Sequence, residues 1–110
     1  MYFAAISELF GQPKLTTQNE MTPFYPRSPY AVSKLAGLRT VRTFRDAYKL
    51  FMVNGILFNH ESEVRGLEFF TRKISRSVEK IYNEVKERVI LGNLNVVKDW
   101  GYAKDYVYGM

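Results

Sequence analysis

Cysteine is absent from the 110 residues. Disulfides, thiolate nucleophiles and cysteine–zinc sites are therefore excluded, and a reducing compartment is favoured. Histidine occurs once, as His60, so a histidine-based metal centre is not expected. No apolar run approaches the ~20 residues that span a bilayer. The opening stretch lacks a basic segment, carries Glu8 early and does not read as a signal peptide. A cytoplasmic chain without a membrane partner is the expectation. The glycines stand at 11, 37, 55, 66, 92, 101 and 109. None makes the G-x-G or G-x-x-G spacing that cradles a pyrophosphate at a helix start. The net charge is +5, but the basic residues interleave with Glu79, Glu84 and Glu87. Without a contiguous basic run, a nucleic-acid partner is not expected.

What is present argues for a folded chain. Hydrophobic residues make up 46% and aromatics 15%, too much apolar surface for a disordered segment. The length predicts one domain over 1–110. Tyr2 to Ile6 is a short apolar run and predicts a strand. All four prolines fall between Gly11 and Pro29, which predicts a loop. Ser28 and Pro29 then predict a helix N-cap and first position. That helix is expected to run to about Leu50, with Leu38, Val41, Phe44 and Tyr48 on one apolar face. Phe51 to Phe58 predicts a strand covered on both sides. Asn59 to Gly66 reads as a loop, and Thr71 to Arg88 as an amphipathic helix carrying Ile74, Val78, Ile81 and Val85 on one stripe. Val89 to Leu91 is a candidate third strand, and Asp99 to Met110 a turn opening another helix. Strand, loop, helix, strand, loop, helix, strand is the order of crossovers in a parallel α/β sheet. Ligands of such sheets sit beyond the strands' carboxyl ends, which here are Ser7-Glu8 and Asn59-His60.

Tyr30 and Lys34 lie four apart at a helix start, so both side chains share one face. An ammonium ~4 Å from a phenolate stabilises it by ~4 kcal/mol at an effective dielectric of ~20, but by only ~1 kcal/mol in water. The pair is a useful base only where something encloses it. Chance alone yields about 0.6 Tyr-x-x-x-Lys matches in a chain of this composition. Tyr82 and Lys86 also fit, inside the second amphipathic helix, where they read as packing and a solvated charge. By themselves, Glu8 reads as a strand-end surface acid, His60 as a structural histidine and Arg65 as a loop charge.

Longer stretches carry more information. SELFG (Ser7–Gly11), TPFYPRSPYAVSK (Thr22–Lys34), FRDAY-L (Phe44–Leu50), VNGILFNHES (Val53–Ser62), TRKISRSV-KIY (Thr71–Tyr82), LGNL (Leu91–Leu94) and DWGYAKDYV (Asp99–Val107) follow in order and almost without gaps. They resemble the GDP-mannose 4,6-dehydratase family of extended short-chain dehydrogenases/reductases over nearly the whole chain. The resemblance implies a partial Rossmann-like, doubly wound parallel sheet. It would hold the later part of the dinucleotide-binding domain and the start of the substrate region, without the glycine-rich first half. It implies NADP as cofactor and GDP-mannose as substrate. Tyr30 resembles the base for the sugar 4-hydroxyl, Lys34 the lysine that binds the nicotinamide ribose, and Glu8 the carboxylate that takes the proton from sugar carbon 5. His60 and Arg65 fall at cofactor-contacting positions, and Asn59 at a candidate sugar-nucleotide contact.

Three departures from the family pattern bear on activity. Ile6 stands where members carry a threonine whose hydroxyl holds the sugar 4-oxygen. Glu63-Val64-Arg65-Gly66 replaces a proline and two arginines before the glycine, and Lys98 replaces an arginine, losing bidentate phosphate geometry. The phosphate loop is missing. The reading is thus a central fragment, inactive by itself. The other reading is a non-catalytic interaction module that pairs with a full-length homologue. A strand exposed along an open edge further implies self-association or a complementary segment as partner.

Overall fold

The computed structural model describes residues 1–13, 17–85 and 88–110. The chain divides into two compact units, Met1–Phe58 (joined by Met110) and Asn59–Gly109.

The first unit is a strand–helix–strand crossover. Strand β1 (Tyr2–Ile6) passes through a single 3-10 turn (Ser7–Phe10) and a loop into helix α1 (Pro29–Tyr48), and strand β2 (Val53–Leu57) follows. The strands are parallel neighbours, in register from Tyr2 opposite Val53 to Ile6 opposite Leu57. Parallel pairing needs such a crossover, because a tight hairpin returns the chain antiparallel. Helix α1 starts where Ser28 and Pro29 direct it. Ser28 is extended, and its hydroxyl accepts the Ala31 N–H at 3.0 Å, satisfying one of the donors a helix start leaves unpaired.

Ala5, Leu9 and Leu38 form the core, with Phe3, Ile6, Phe24, Leu35 and Ile56 packed against it. Phe10 is buried and stacks near Phe24 and Phe58, with centroids 5.4 and 6.3 Å away. Gly11 is required where the loop doubles back. Its φ is +64°, and a Cβ there would collide with the Tyr25 carbonyl oxygen. The Tyr25 N–H donates to the Leu9 carbonyl at 2.8 Å, so this crossing fastens the loop to the end of β1. The expected apolar face of α1 is buried only in part. Leu38 and Val41 are buried, whereas Phe44 and Tyr48 are exposed and pack on each other with centroids 5.5 Å apart.

The second unit pairs two three-residue strands, β3 (Asn59–Glu61) and β4 (Trp100–Tyr102), in parallel. Helix α2 (Phe70–Tyr82) lies between them in sequence, and α3 (Ala103–Gly109) follows β4. Three expectations are corrected here. The start of the presumed loop Asn59–Gly66 is strand. Val89–Leu91 is not a strand; the partner that completes a ladder is Trp100–Tyr102. The second helix ends at Tyr82, short of Arg88. There Glu84 takes φ 56°, the Val85 N–H donates to the Lys80 carbonyl at 2.8 Å and the Glu84 N–H to that of Ile81 at 3.0 Å. Those two bonds close the helix in a Schellman motif, with a glutamate at the left-handed position glycine usually takes. Lys86, of the second Tyr-x-x-x-Lys match, lies outside the described residues.

Candidate active site

In the first unit, Glu8 stands past the carboxyl end of β1, and the start of α1, which carries Tyr30 and Lys34, is tied to it through Ser28. Glu8 is the second residue after that strand, in the 3-10 turn. Its Oε2 accepts the Ser28 hydroxyl at 3.2 Å, and Ser28 caps the helix whose first turns carry Tyr30 and Lys34. Glu8 and Tyr30 therefore stand at one end of the two-stranded sheet. Lys34 Nζ donates to the Ala4 carbonyl of β1 at 2.9 Å. It lies 5.7 Å from the Tyr30 ring centroid and 5.4 Å from that of Phe3, within the range where an aromatic face attracts a cation. The Phe3 ring occupies the space where a side chain at position 37 would go, which makes Gly37 a fitted position. The Tyr30 side of the arrangement is open, since Tyr30 is 55% exposed.

Ile6 packs against the core cluster. The residue that departs from the family pattern thus adds apolar contact where the resemblance asks for a hydroxyl.

In the second unit, Asn59 is tied to the loop before β4. Its backbone N–H and side-chain Nδ2 both donate to the Asp99 carbonyl, at 3.2 and 3.0 Å. The His60 ring lies 5.2 Å from that of Tyr106. Arg65 Nε is 3.1 Å from Glu61 Oε2, but that nitrogen makes no aligned hydrogen bond, so the contact is an ion pair only. The guanidinium carbon sits 3.4 Å from the Phe69 ring centroid. Glu61 Oε2 also accepts the Thr71 hydroxyl at 2.7 Å. Glu63, the acid that replaces a family residue, accepts from the Tyr102 hydroxyl at 3.3 Å. Its negative charge first, then that hydrogen bond, then slight desolvation and Asp105 hold the Tyr102 phenol above its ordinary range.

Sequence reasoning missed the second bond of Ser28. Its N-cap signal was legible, but a proton donated to Glu8 requires knowing that the 3-10 turn and the helix start meet.

The sequence model of GDP-mannose 4,6 dehydratase matches residues 1–110. The chain belongs to the GDP-mannose 4,6-dehydratase family. It is 59% identical over 109 residues to the GDP-mannose 4,6 dehydratase of Homo sapiens, covering 99% of this chain and 29% of that one. It is 56% identical over 109 residues to GDP-mannose 4,6 dehydratase 2 of Caenorhabditis elegans, covering 99% and 28%. The chain thus spans under a third of the curated relatives it matches. Among solved structures it is similar to RMD from Pseudomonas aeruginosa complexed with NADPH, with TM-score 0.91 at 21% identity, over 97% of this chain and 38% of that one. It is also similar to dTDP-glucose 4,6-dehydratase from Streptomyces venezuelae, with TM-score 0.80 at 21% identity, over 98% and 32%. The fold is a partial Rossmann-like α/β arrangement of parallel strands, as expected for this GDP-mannose 4,6-dehydratase family member. No helix among the described residues is long and apolar enough to cross a membrane.

In the first unit, Lys34 offers donors of the kind that a ribose hydroxyl accepts. Lys34 has three N–H donors and spends one on Ala4. The Arg65 guanidinium has further N–H groups on its other nitrogens beside the Nε that faces Glu61.

Proposed function

We propose that this chain carries the proton-transfer segment of a GDP-mannose 4,6-dehydratase and is inactive by itself. The observation that supports this most is the tie from Glu8 through Ser28 to the helix start holding Tyr30 and Lys34. In this reading a bound NADP would supply the acceptor for the hydride of sugar carbon 4 and the source of its return. Tyr30 takes the proton of the 4-hydroxyl. Lys34 holds a nicotinamide-ribose hydroxyl and stabilises the tyrosine's oxyanion. Once carbon 4 is a ketone, the carbon-5 proton is acidic enough for a carboxylate, and Glu8 takes it. The 6-hydroxyl then leaves as water with the proton returned from Glu8, the hydride goes back to carbon 6, and a proton added at carbon 5 balances the one that Tyr30 took. His60 and Arg65 contact the cofactor, and Asn59 the sugar nucleotide. The cysteine-free composition suits the cytoplasm.

Inactivity of the 110 residues alone follows from two features. Tyr30 is open to water, where a neighbouring ammonium helps least. Ile6 has no hydroxyl, and one lost active-site hydrogen bond costs ~100-fold in rate. A coupled assay of the purified chain with GDP-mannose and NADP is expected to give no 4-keto-6-deoxy product. Exchanged for the matching segment of the human relative, the chain is expected to leave a slow enzyme. Ile6→Thr should recover about 100-fold, and Tyr30→Phe should abolish turnover. A chimera indifferent to Tyr30→Phe would remove the reading.

The second reading is an interaction module. It is favoured by the first unit's two-stranded sheet, in which β1 and β2 each have only one strand neighbour among the described residues. Unpaired edges of this kind recruit strands from other chains. Sedimentation of the chain with and without a full-length homologue tests it, and the absence of a joint species would exclude it.

A further inference from the structure

We propose that Ser28 is a positioning residue: its single hydroxyl caps α1 and, through the same oxygen, orients the Glu8 carboxylate toward the bond it is to break. The proposal rests on the reading of Glu8 as the carbon-5 base. Glu8 is exposed, in a short turn, and an exposed glutamate samples several staggered rotamers unless something holds its end. Among the described residues, Ser28 is what holds it, at 3.2 Å from Oε2.

Ser28 is itself fixed. Its backbone is extended in the cap geometry, and Oγ accepts the Ala31 N–H at 3.0 Å. A serine hydroxyl has one proton and two lone pairs. Accepting from Ala31 spends a lone pair and leaves the proton, which goes to Glu8. The rigidity of the helix start is thereby passed to the carboxylate across one oxygen atom. Tyr30 stands two residues further on in the same first turn, so one hydroxyl sets the spacing between carboxylate and phenol. With Oε2 held, Oε1 keeps its lone pairs for the carbon-5 proton. When that C–H bond breaks, its electron pair moves toward the carbon-4 carbonyl and the proton ends on Oε1. Aspartate caps helices as well as serine does, but its carboxylate has no proton to give Glu8. Capping alone does not select serine here; the second bond does.

Two measurements by mass spectrometry separate the roles in the purified chain. Carbodiimide coupling of glycine ethyl ester reads the freedom of Glu8, with the exposed Glu20 as internal reference. Hydrogen exchange at Ala31 reads the cap. Ser28→Asp keeps a side-chain oxygen that accepts the Ala31 N–H, so Ala31 protection is expected to stay near that of the parent in this variant; Ser28→Gly retains the helix start but not that acceptor. Labelling of Glu8 relative to Glu20 should rise about threefold. Ser28→Thr, which keeps the hydroxyl, should match the parent in both readouts. Ser28→Ala, like Ser28→Gly, should raise labelling and also speed Ala31 exchange, about fivefold. Unchanged Glu8 labelling in Ser28→Gly and Ser28→Asp would overturn the proposal. So would failure of Ser28→Thr to restore the parent value. Loss of Ala31 protection in the Asp variant would overturn it too, because cap and carboxylate tie would then not be separable. Neither readout needs turnover. The proposal can fail while Glu8 remains the base, and the Tyr30→Phe chimera can fail while the positioning stands.

Discussion

Ala5, Leu9, Phe10, Ala31, Leu38 and Val41 are the buried hydrophobic side chains among the described residues, and all belong to the first unit. In the second unit the one buried residue among those described is Ser77. The strands differ in the same sense: five paired positions join β1 to β2, and three join β3 to β4. Yet the second unit has the more regular helix pattern, with Ile74, Val78 and Ile81 at three- and four-residue spacing. Val78 is 57% exposed and Ile81 38%. An amphipathic stripe marks the face a helix is built to bury, but burial itself requires a matching surface. The first unit supplies that surface from its own strands, and the second does not supply it for Val78.

The largest expected effect tests this contrast directly. Leu9 is fully buried, so Leu9→Ala removes packed methyl groups and leaves a cavity, at a cost of about 3 kcal/mol. A chain with ~0.05–0.15 kcal/mol per residue in reserve loses much of its stability at that one site. Val78→Ala should change stability by less than ~0.5 kcal/mol, as exposed helix positions do. Urea unfolding followed by ellipticity measures both. Equal losses would dissolve the contrast.

Ile6 sharpens it from the functional side. Its side chain packs against the cluster of Ala5, Leu9 and Leu38, and threonine there would put a hydroxyl in place of an ethyl group. Ile6→Thr is expected to cost the isolated chain about 1–2 kcal/mol, although the same change restores the hydroxyl that the family pattern carries. A midpoint unmoved by Ile6→Thr in the same urea experiment would show that Ile6 is not part of the core.

The same contrast explains what could be read from residues alone. Strand β1, the cap at Ser28 and the parallel pairing of β2 were legible because each rests on a strong local signal: a short apolar run, Ser-Pro before a periodic segment, a near-continuous apolar strand. Exposure of Phe44 and Tyr48 was not legible, since spacing gives a face but not its cover. Strands β3 and β4 are three residues long, too short for alternation to register. Asn59 and Asp99 meet across forty residues of sequence. The end of α2 was missed because Glu84 occupies the left-handed position without being glycine. At the candidate site, motifs singled out Tyr30, Lys34 and Glu8 as candidates. The Ser28 proton was not, because hydrogen-bond direction follows from geometry.

The smallest expected effect lies in the second unit, where a surface pair stands in place of a core. Glu63 raises the Tyr102 phenol above its ordinary value near 10, chiefly by its negative charge and next by accepting the phenol's hydrogen bond. Both effects favour the protonated, neutral phenol in the folded chain. The folded state therefore keeps this proton to higher pH than the unfolded state does. Any stability the pair contributes is complete below the ordinary phenol value and is lost as pH rises through the raised one. Tyr102 is exposed, so screening by water and salt keeps the contribution small. Glu63→Gln removes the charge while keeping an acceptor oxygen, so most of the shift should vanish and the Tyr102 midpoint should fall back toward 10. Carbon-13 resonances of the tyrosine ring, followed against pH in parent and variant, measure it. Raising the salt to ~1 M should shrink the difference, because the Debye length falls to ~3 Å. If the midpoint holds in Glu63→Gln, then desolvation or Asp105 sets it. The acid that entered this loop would then have no part in fastening β4.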